Sequence, residues 1–248
     1  MKELLVFTAA SGHYLDYLPL WRWCLQKSYP EYDCFGLIIQ SPSVKFYAAI
    51  YRLIHHPSAD FDYIYTTDVD IMHLRQKPTI MEYHKALMVS TGLCYSNSPR
   101  TSEHRGKERL TGLHFASQKW YMKTQGIRDA YLHMLDSGEI GNSRFDDEFT
   151  LMKICKESKL EIPPHEGLVK RHMGIHMGTL RAYKTHTKQK MNQQLRMRIT
   201  PAQAKQWLSF YQDSEFRLVL EATCNMNREL KIEFERLYSF CRRIENEY

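Results

Sequence analysis

Long apolar runs, paired cysteines and repeats are absent from this chain of 248 residues. No stretch approaches the roughly 20 apolar residues that cross a bilayer as a helix, and Glu3 beside a short apolar run argues against a secretion signal. The six cysteines form no C-x-x-C pair, so we expect reduced thiols in a cytoplasmic protein. An apolar content of 43% is typical of a globular domain.

Acidic residues are missing from one long stretch. Between residues 167 and 212 there is no aspartate or glutamate, although the whole chain has a net charge of +6. This basic stretch contains Lys170, Arg171, Arg181, Lys184, Lys188, Lys190, Arg196, Arg198 and Lys205. Such a field attracts the phosphates of a nucleotide, an anionic lipid surface or a nucleic acid. The alternative is a solvated basic face.

Strand-like and helix-like segments alternate in the first third of the chain. Apolar runs at 4–10 and 32–40 predict strands, and apolar residues at helical spacing predict helices over 14–28 and 43–55. An aromatic and β-branched run that begins at Tyr63 predicts a third strand. This alternation predicts an α/β fold, with a mostly parallel sheet flanked by helices.

Weaker patterns cover the rest of the chain. They predict a strand around 86–90, a loop over 97–109, a strand over 110–120, and helices over 120–137 and 145–158. Thr200-Pro201-Ala202-Gln203 predicts a helix start with Thr200 as the N-cap. Apolar residues at 3–4 spacing from Phe216 to Ile244 predict one long amphipathic helix. That helix can dock onto the protein itself, form a homodimer or contact a membrane surface.

Two aspartates end the third predicted strand. Asp68 and Asp70 follow the run Tyr63-Ile64-Tyr65-Thr66-Thr67, and a buried strand tolerates charge only where the charge has a partner. Ligands of open α/β sheets bind at the carboxyl ends of the strands, and carboxylate oxygens suit Mg²⁺ or Mn²⁺. We therefore expect a metal–diphosphate site here. The alternative is a strand end followed by an aspartate-rich turn.

A predicted helix with a Tyr51-Arg52 pair leads into the D-x-D sequence Asp68-Val69-Asp70. This order resembles the donor-binding half of nucleotide-sugar glycosyltransferases with the GT-A fold. The likeness is to the branch that contains glycogenin and the bacterial lipopolysaccharide galactosyltransferases, and it covers about residues 1–185. It implies a Rossmann-like GT-A catalytic domain over 1–187 and a helical C-terminal extension over 188–248.

The resemblance also implies roles for single residues. Asp68 and Asp70 would bind the metal, and His176 would complete the site; His176 is preferred to His172 because Gly174 and Gly178 flank it. The residues implied for the nucleotide-sugar donor are Thr8, Ala9, Tyr14, Lys45, Arg52, Asp68, Gly112, His114 and Gly178. For His114, a packed strand histidine is an equal alternative.

Three consecutive acids, Asp146, Asp147 and Glu148, resemble the family's acidic segment at a helix start. One of them would deprotonate an acceptor hydroxyl in an inverting reaction, or stabilise an oxocarbenium-like centre in a retaining one. Ordinary negative charge at a helix N-terminus is the alternative.

The function predicted first is a Mn²⁺- or Mg²⁺-dependent glycosyltransferase. It would move a sugar from a UDP-sugar to a glycan or lipid-linked acceptor in polysaccharide or lipopolysaccharide synthesis, in the cytoplasm or loosely attached to the inner face of the membrane. A nucleotidyltransferase also uses paired carboxylates and a metal, but Ser11-Gly12-His13 is not the glycine-rich basic loop that it normally has. The third possibility is a basic binding module. No nucleic-acid partner is expected, since no aromatic residues interleave with the basic ones.

Overall fold

Three parallel strands begin the chain in the computed structural model, which describes residues 2–40, 42–101, 108–143, 145–164, 174–181, 195 and 199–247. Strand β1 (Lys2–Ala10) pairs in parallel with both β2 (Asp33–Ile38) and β3 (Phe61–Thr66). A 3₁₀ helix (Gly12–Tyr17) and helix α1 (Leu18–Ser28) follow β1, and helix α2 (Tyr47–Ile54) follows β2. The predicted alternation of strands and helices is confirmed.

The chain divides into two compact units. The first unit comprises residues 1–12, 31–68 and 77–171, and the second comprises residues 13–30, 69–76 and 172–248. The predicted domain boundary after residue 187 lies outside the described residues and stays a prediction.

The first unit is built on a mixed sheet with helices packed around it. Strand β3 is followed along the chain by a short strand β4 (Ile71–His73), which belongs to the second unit. The first unit then continues with α3 (Ile80–Thr91), β5 (Tyr95–Ser96), β6 (Pro99–Thr101), β7 (Glu108–Leu110), β8 (His114–Ser117), α4 (Gln118–Asp136) and α5 (Asp146–Glu157). The sheet has five strands in the order β2-β1-β3-β8-β5, and β8 runs antiparallel to β3 and to β5. The fold is therefore mixed α/β. Only the β2-β1-β3 part has the predicted parallel pairing, since β8 pairs in antiparallel register on both of its sides.

Two local predictions in this unit are wrong. The segment 86–90 belongs to helix α3, not to a strand, because Thr79 and Glu82 form a capping box that starts the helix. Within the segment 97–109, predicted as a loop, residues 99–101 and 108–109 instead belong to strands β6 and β7, which pair in antiparallel register; residues 102–107 lie outside the described residues.

The second unit contains two short strands, β4 and β9 (Gly174–His176), which pair with each other, and it contains further helices besides α1. These helices are α6 (Gly178–Arg181), α7 (Pro201–Phe210), α8 (Ser214–Met226) and α9 (Arg228–Glu247). Helix α7 begins as predicted, with a capping box between Thr200 and Gln203. Each helix in the described part of the chain is too short or too polar to span a lipid bilayer.

The predicted single helix from Phe216 onward is in fact two helices. Asn227 separates α8 from α9, with an extended backbone (φ −141°, ψ 103°). Its side-chain oxygen accepts hydrogen bonds from the backbone N–H groups of Glu229 and Leu230, so it caps the second helix.

The apolar face of α9 is buried inside the second unit. The buried side chains are Leu230, Phe234, Leu237, Phe240, Cys241 and Ile244. The ring of Phe234 stacks on that of Trp207 from α7, with centroids 5.9 Å apart. This is the intramolecular docking that the sequence left open as one of three possibilities.

Candidate functional site

In the first unit, hydrogen bonds fix the backbone at the end of strand β3. The backbone N–H of Thr67 donates to the carbonyl of Phe7 at 2.9 Å, and the hydroxyl of Thr8 donates to the carbonyl of Thr67 at 2.9 Å. Thr8 is fully buried. These bonds hold the backbone immediately before Asp68, so the position of Asp68 is set by the strand that precedes it.

In the second unit, Asp70 and His176 are brought together by the pairing of β4 with β9. Ile71 lies opposite His176 in the register, and the backbone N–H of Met177 donates to the carbonyl of Asp70 at 2.8 Å. The Nε2 atom of His176 lies 3.3 Å from Oδ1 of Asp70. The Asp70 side chain is 5% exposed and that of His176 is 28% exposed, so the pair is buried but reachable from solvent.

These residues form a candidate metal centre. Asp68, Asp70 and His176 each offer one ligand atom, and the three atoms lie within 4.8 Å of one another. Two carboxylates and an imidazole are a donor set that suits divalent ions able to accept both oxygen and nitrogen. The group can therefore hold a metal ion. His172, the alternative histidine, lies outside the described residues.

Gly174 allows β9 to approach β4 closely. A Cβ atom at this position would overlap the backbone carbonyl of Met72, so a larger residue would push the two strands apart. We expect Gly174→Ala to lower the free energy of unfolding by about 1–3 kcal/mol or more and to weaken divalent-metal binding by at least about 10-fold. Denaturant unfolding and metal titration measure the two effects.

Gly126 supplies the matched control. It lies in the interior of α4, and a Cβ atom there would have no heavy atom within 4 Å. Gly126→Ala should leave metal binding unchanged and raise the free energy of unfolding by about 0.5–1 kcal/mol, because alanine restricts the unfolded chain. Equal effects of the two substitutions would contradict the close approach at Gly174.

Arg52 joins two of the candidate acids in the first unit. Its side chain is 4% exposed, and Nη2 lies 2.5 Å from Oδ1 of Asp68 and 3.5 Å from Oδ2 of Asp147. A Cβ atom on Gly112 would lie 2.9 Å from the same Nη2. A buried guanidinium needs such partners, because an uncompensated buried charge is strongly destabilising. We call Arg52, Asp68 and Asp147 the ion cluster.

The three consecutive acids have different environments. Asp146 accepts hydrogen bonds from the backbone N–H groups of Gly141 and Ser143, at 3.2 and 2.8 Å, and so holds the preceding turn. Glu148 is paired with two arginines, whereas Asp147 is the one of the three that pairs with Arg52. Burial raises the pKa of Asp147 to about 6; the charge of Arg52 opposes this rise, and that of Asp68 adds to it.

The remaining predicted residues are distributed over both units. His114 is buried, its Nδ1 lies 3.2 Å from Nδ2 of Asn97, and burial lowers its pKa to about 3. This burial agrees with the packed strand histidine of the sequence analysis, and a role of His114 at the donor sugar stays a prediction. Lys45 is exposed over the ring of Phe46. Ala9 is buried in β1, Tyr14 lies against His13, and Gly178 begins α6. Their donor-binding roles stay predictions.

Sequence reasoning missed Arg100 and Arg109. The side chains of both arginines pair with Glu148, the former at 3.1 Å. They lie in the segment that was predicted as a loop, and their spacing of nine residues matches no motif. Only the β6–β7 pairing, in which the two residues face each other, reveals them.

Comparisons with protein-family models, with curated proteins and with solved structures find no match to this chain. What the site does is therefore inferred from its own chemistry.

Proposed function

We propose that this protein is a metal-dependent glycosyltransferase with a GT-A-like fold, and that its donor is a nucleoside-diphosphate sugar, most simply a UDP-sugar. The observation that carries the proposal is that ligand atoms of Asp68, Asp70 and His176 lie within 4.8 Å of one another. Two of these follow the third strand of the parallel β2-β1-β3 set, where ligands of α/β sheets bind.

Asp68, Asp70 and His176 would hold Mn²⁺ or Mg²⁺. Mn²⁺ is the better match, because it accepts nitrogen as well as oxygen donors. When bound, the ion supplies positive charge that stabilises a leaving diphosphate as the sugar–phosphate bond breaks.

Arg52 and Asp147 would act at the reacting sugar. Arg52 holds Asp68 and Asp147 in fixed positions, and its buried charge favours an anionic group nearby. Asp147 would either take the proton of the acceptor hydroxyl or stabilise positive charge at the anomeric carbon. Glu148 is unsuited to both roles, because its carboxylate is already occupied by Arg100 and Arg109.

A screen of sugar nucleotides tests the proposal. The purified chain is incubated with UDP- and GDP-linked sugars and Mn²⁺, and release of the nucleoside diphosphate (UDP or GDP) is measured with and without EDTA. We expect UDP release from at least one UDP-sugar, lost with EDTA. Pyrophosphate release from a nucleoside triphosphate and a sugar phosphate would instead identify a nucleotidyltransferase. No turnover and no Mn²⁺-dependent nucleotide binding would overturn the proposal.

A further inference from the structure

The β6–β7 hairpin places two positive charges side by side. Arg100 on β6 and Arg109 on β7 are direct partners in the antiparallel register, and like charges at such positions repel. Glu148, at the start of α5, accepts a hydrogen bond from each of them. Its side chain is only 9% exposed. The arrangement is favourable only while this carboxylate lies with the two arginines, so the hairpin and the first turn of α5 depend on each other.

Arg109 contacts both residues that flank the pair Asp146 and Asp147. Besides its contact with Glu148, its guanidinium carbon lies 4.1 Å from the ring centroid of Phe145. Phe145 has a positive φ of 73°, a conformation that costs a bulky side chain energy and needs support from its surroundings. One side chain thus supports the turn before α5 and the first turn of the helix.

Asp147 lies between these two supports. Its Oδ2 atom is 3.5 Å from Nη2 of Arg52, which is longer than the 2.5 Å contact between Arg52 and Asp68. A small shift at the start of α5 would break the longer contact first. A displacement of about 1 Å at a reacting group can cost about 100-fold in rate.

We propose that Arg109 is a positioning residue: by holding Phe145 and Glu148 it sets the carboxylate of Asp147 against Arg52. The proposal deepens the proposed function and rests on it for its kinetic consequence. Its structural consequence, the position of Asp147, does not depend on any activity.

The kinetic test compares Arg109→Met with Lys156→Met. Lys156 forms the exposed 3.0 Å ion pair with Glu108 that also links β7 to α5, but among the described residues it pairs with neither Phe145 nor Glu148. We expect Arg109→Met to lower kcat for the UDP-sugar found in the screen by about 10- to 100-fold, with KM and UDP affinity within about 3-fold of the wild type. Lys156→Met should change kcat by less than about 2-fold.

A double-mutant cycle with Asp147→Asn separates positioning from a general loss of structure. If Arg109 acts through Asp147, adding Arg109→Met to Asp147→Asn lowers kcat no further. Multiplicative losses, or a fall in UDP affinity equal to the fall in kcat, would overturn the proposal. Should Arg109→Met fail to fold, Arg109→Lys keeps the charge but loses the planar two-sided contact, and the same cycle applies.

A crystal structure of the Arg109 variant tests the position of Asp147 without any measurement of activity. We expect the separation between Asp147 Oδ2 and Arg52 Nη2 to exceed about 4.5 Å, because this contact lies beyond hydrogen-bond reach once it is lengthened by about 1 Å. The shorter Arg52–Asp68 contact should stay intact. An unchanged Asp147 would overturn the positioning role even if the enzyme is active. A displaced Asp147 in a protein that neither turns over sugar nucleotides nor binds nucleotide with Mn²⁺ would uphold the positioning role and reject the glycosyltransferase proposal.

Discussion

Replacing Asp70 with alanine is expected to remove most of the manganese-dependent binding of UDP. The substitution removes a buried carboxylate from a group of three ligand atoms, and two ligands hold a labile divalent ion poorly. We expect the affinity for UDP in the presence of Mn²⁺ to fall at least about 100-fold, which is about 2.7 kcal/mol of binding free energy. Isothermal titration calorimetry with and without Mn²⁺ measures the effect.

Asp60→Ala is the control for this experiment. Asp60 is exposed in the turn before β3 and belongs to neither the metal group nor the ion cluster. Its removal should leave UDP binding unchanged. If the Asp70 variant bound UDP as the wild type does, at each manganese concentration, the candidate metal centre would have no part in nucleotide binding.

We expect Asp147→Asn to lower kcat by about 100- to 10,000-fold, the usual contribution of a positioned acid or base, and to leave nucleotide affinity nearly unchanged. The amide keeps the size of the side chain but cannot take a proton or carry a negative charge. Asp146→Asn should have a smaller effect on kcat, because Asp146 is engaged in the backbone turn. Steady-state kinetics on the three proteins checks the order.

The pH dependence of the wild type gives a second measure of the same residue. Because burial raises the pKa of Asp147 to about 6, the carboxylate is protonated as the pH falls through that value, and kcat should fall with it. The folded state binds this proton more tightly than the unfolded state, so this residue's contribution to stability increases as the pH falls from about 6 towards 4. If the Asp147→Asn variant kept the same acidic limb, that limb would belong to another group.

The strands, and the place of the D-x-D motif at a strand end, can be predicted because their signals lie in neighbouring residues. The run from Tyr63 to Thr67 leads directly to Asp68, and the structure ends β3 at Thr66. The apolar residues of the helix over 80–91 also suit a strand, and the capping box at Thr79 decides between the two. The break at Asn227 interrupts no hydrophobic period, so spacing alone could not locate it.

The partners of the aspartates cannot be derived from spacing or periodicity, and only the family resemblance implies His176. His176 reaches Asp70 through an antiparallel pairing of segments about 100 residues apart, and nothing in the spacing specifies that pairing. The flanking glycine that favoured His176 has a physical role here, since Gly174 admits the backbone of β4. The three acids at 146–148 look equivalent in sequence, but Asp146 is engaged in the local turn. The other two differ through tertiary contacts, with Arg52 on Asp147 and with Arg100 and Arg109 on Glu148.

Membrane attachment through α9 would require its apolar face, which is buried in the second unit. Most of the basic stretch lies outside the described residues. A contact with anionic lipid, which we inferred from the charge pattern, would therefore depend on the basic stretch and not on the amphipathic helix.

Anomalous diffraction at the manganese edge, from crystals grown with Mn²⁺ and UDP, tests the candidate centre most directly. We predict one strong peak in contact with the carboxylate of Asp70 and the imidazole of His176, with the diphosphate beside it. A fully bound nucleotide whose diphosphate lies elsewhere, with no peak at these two side chains, would contradict the account.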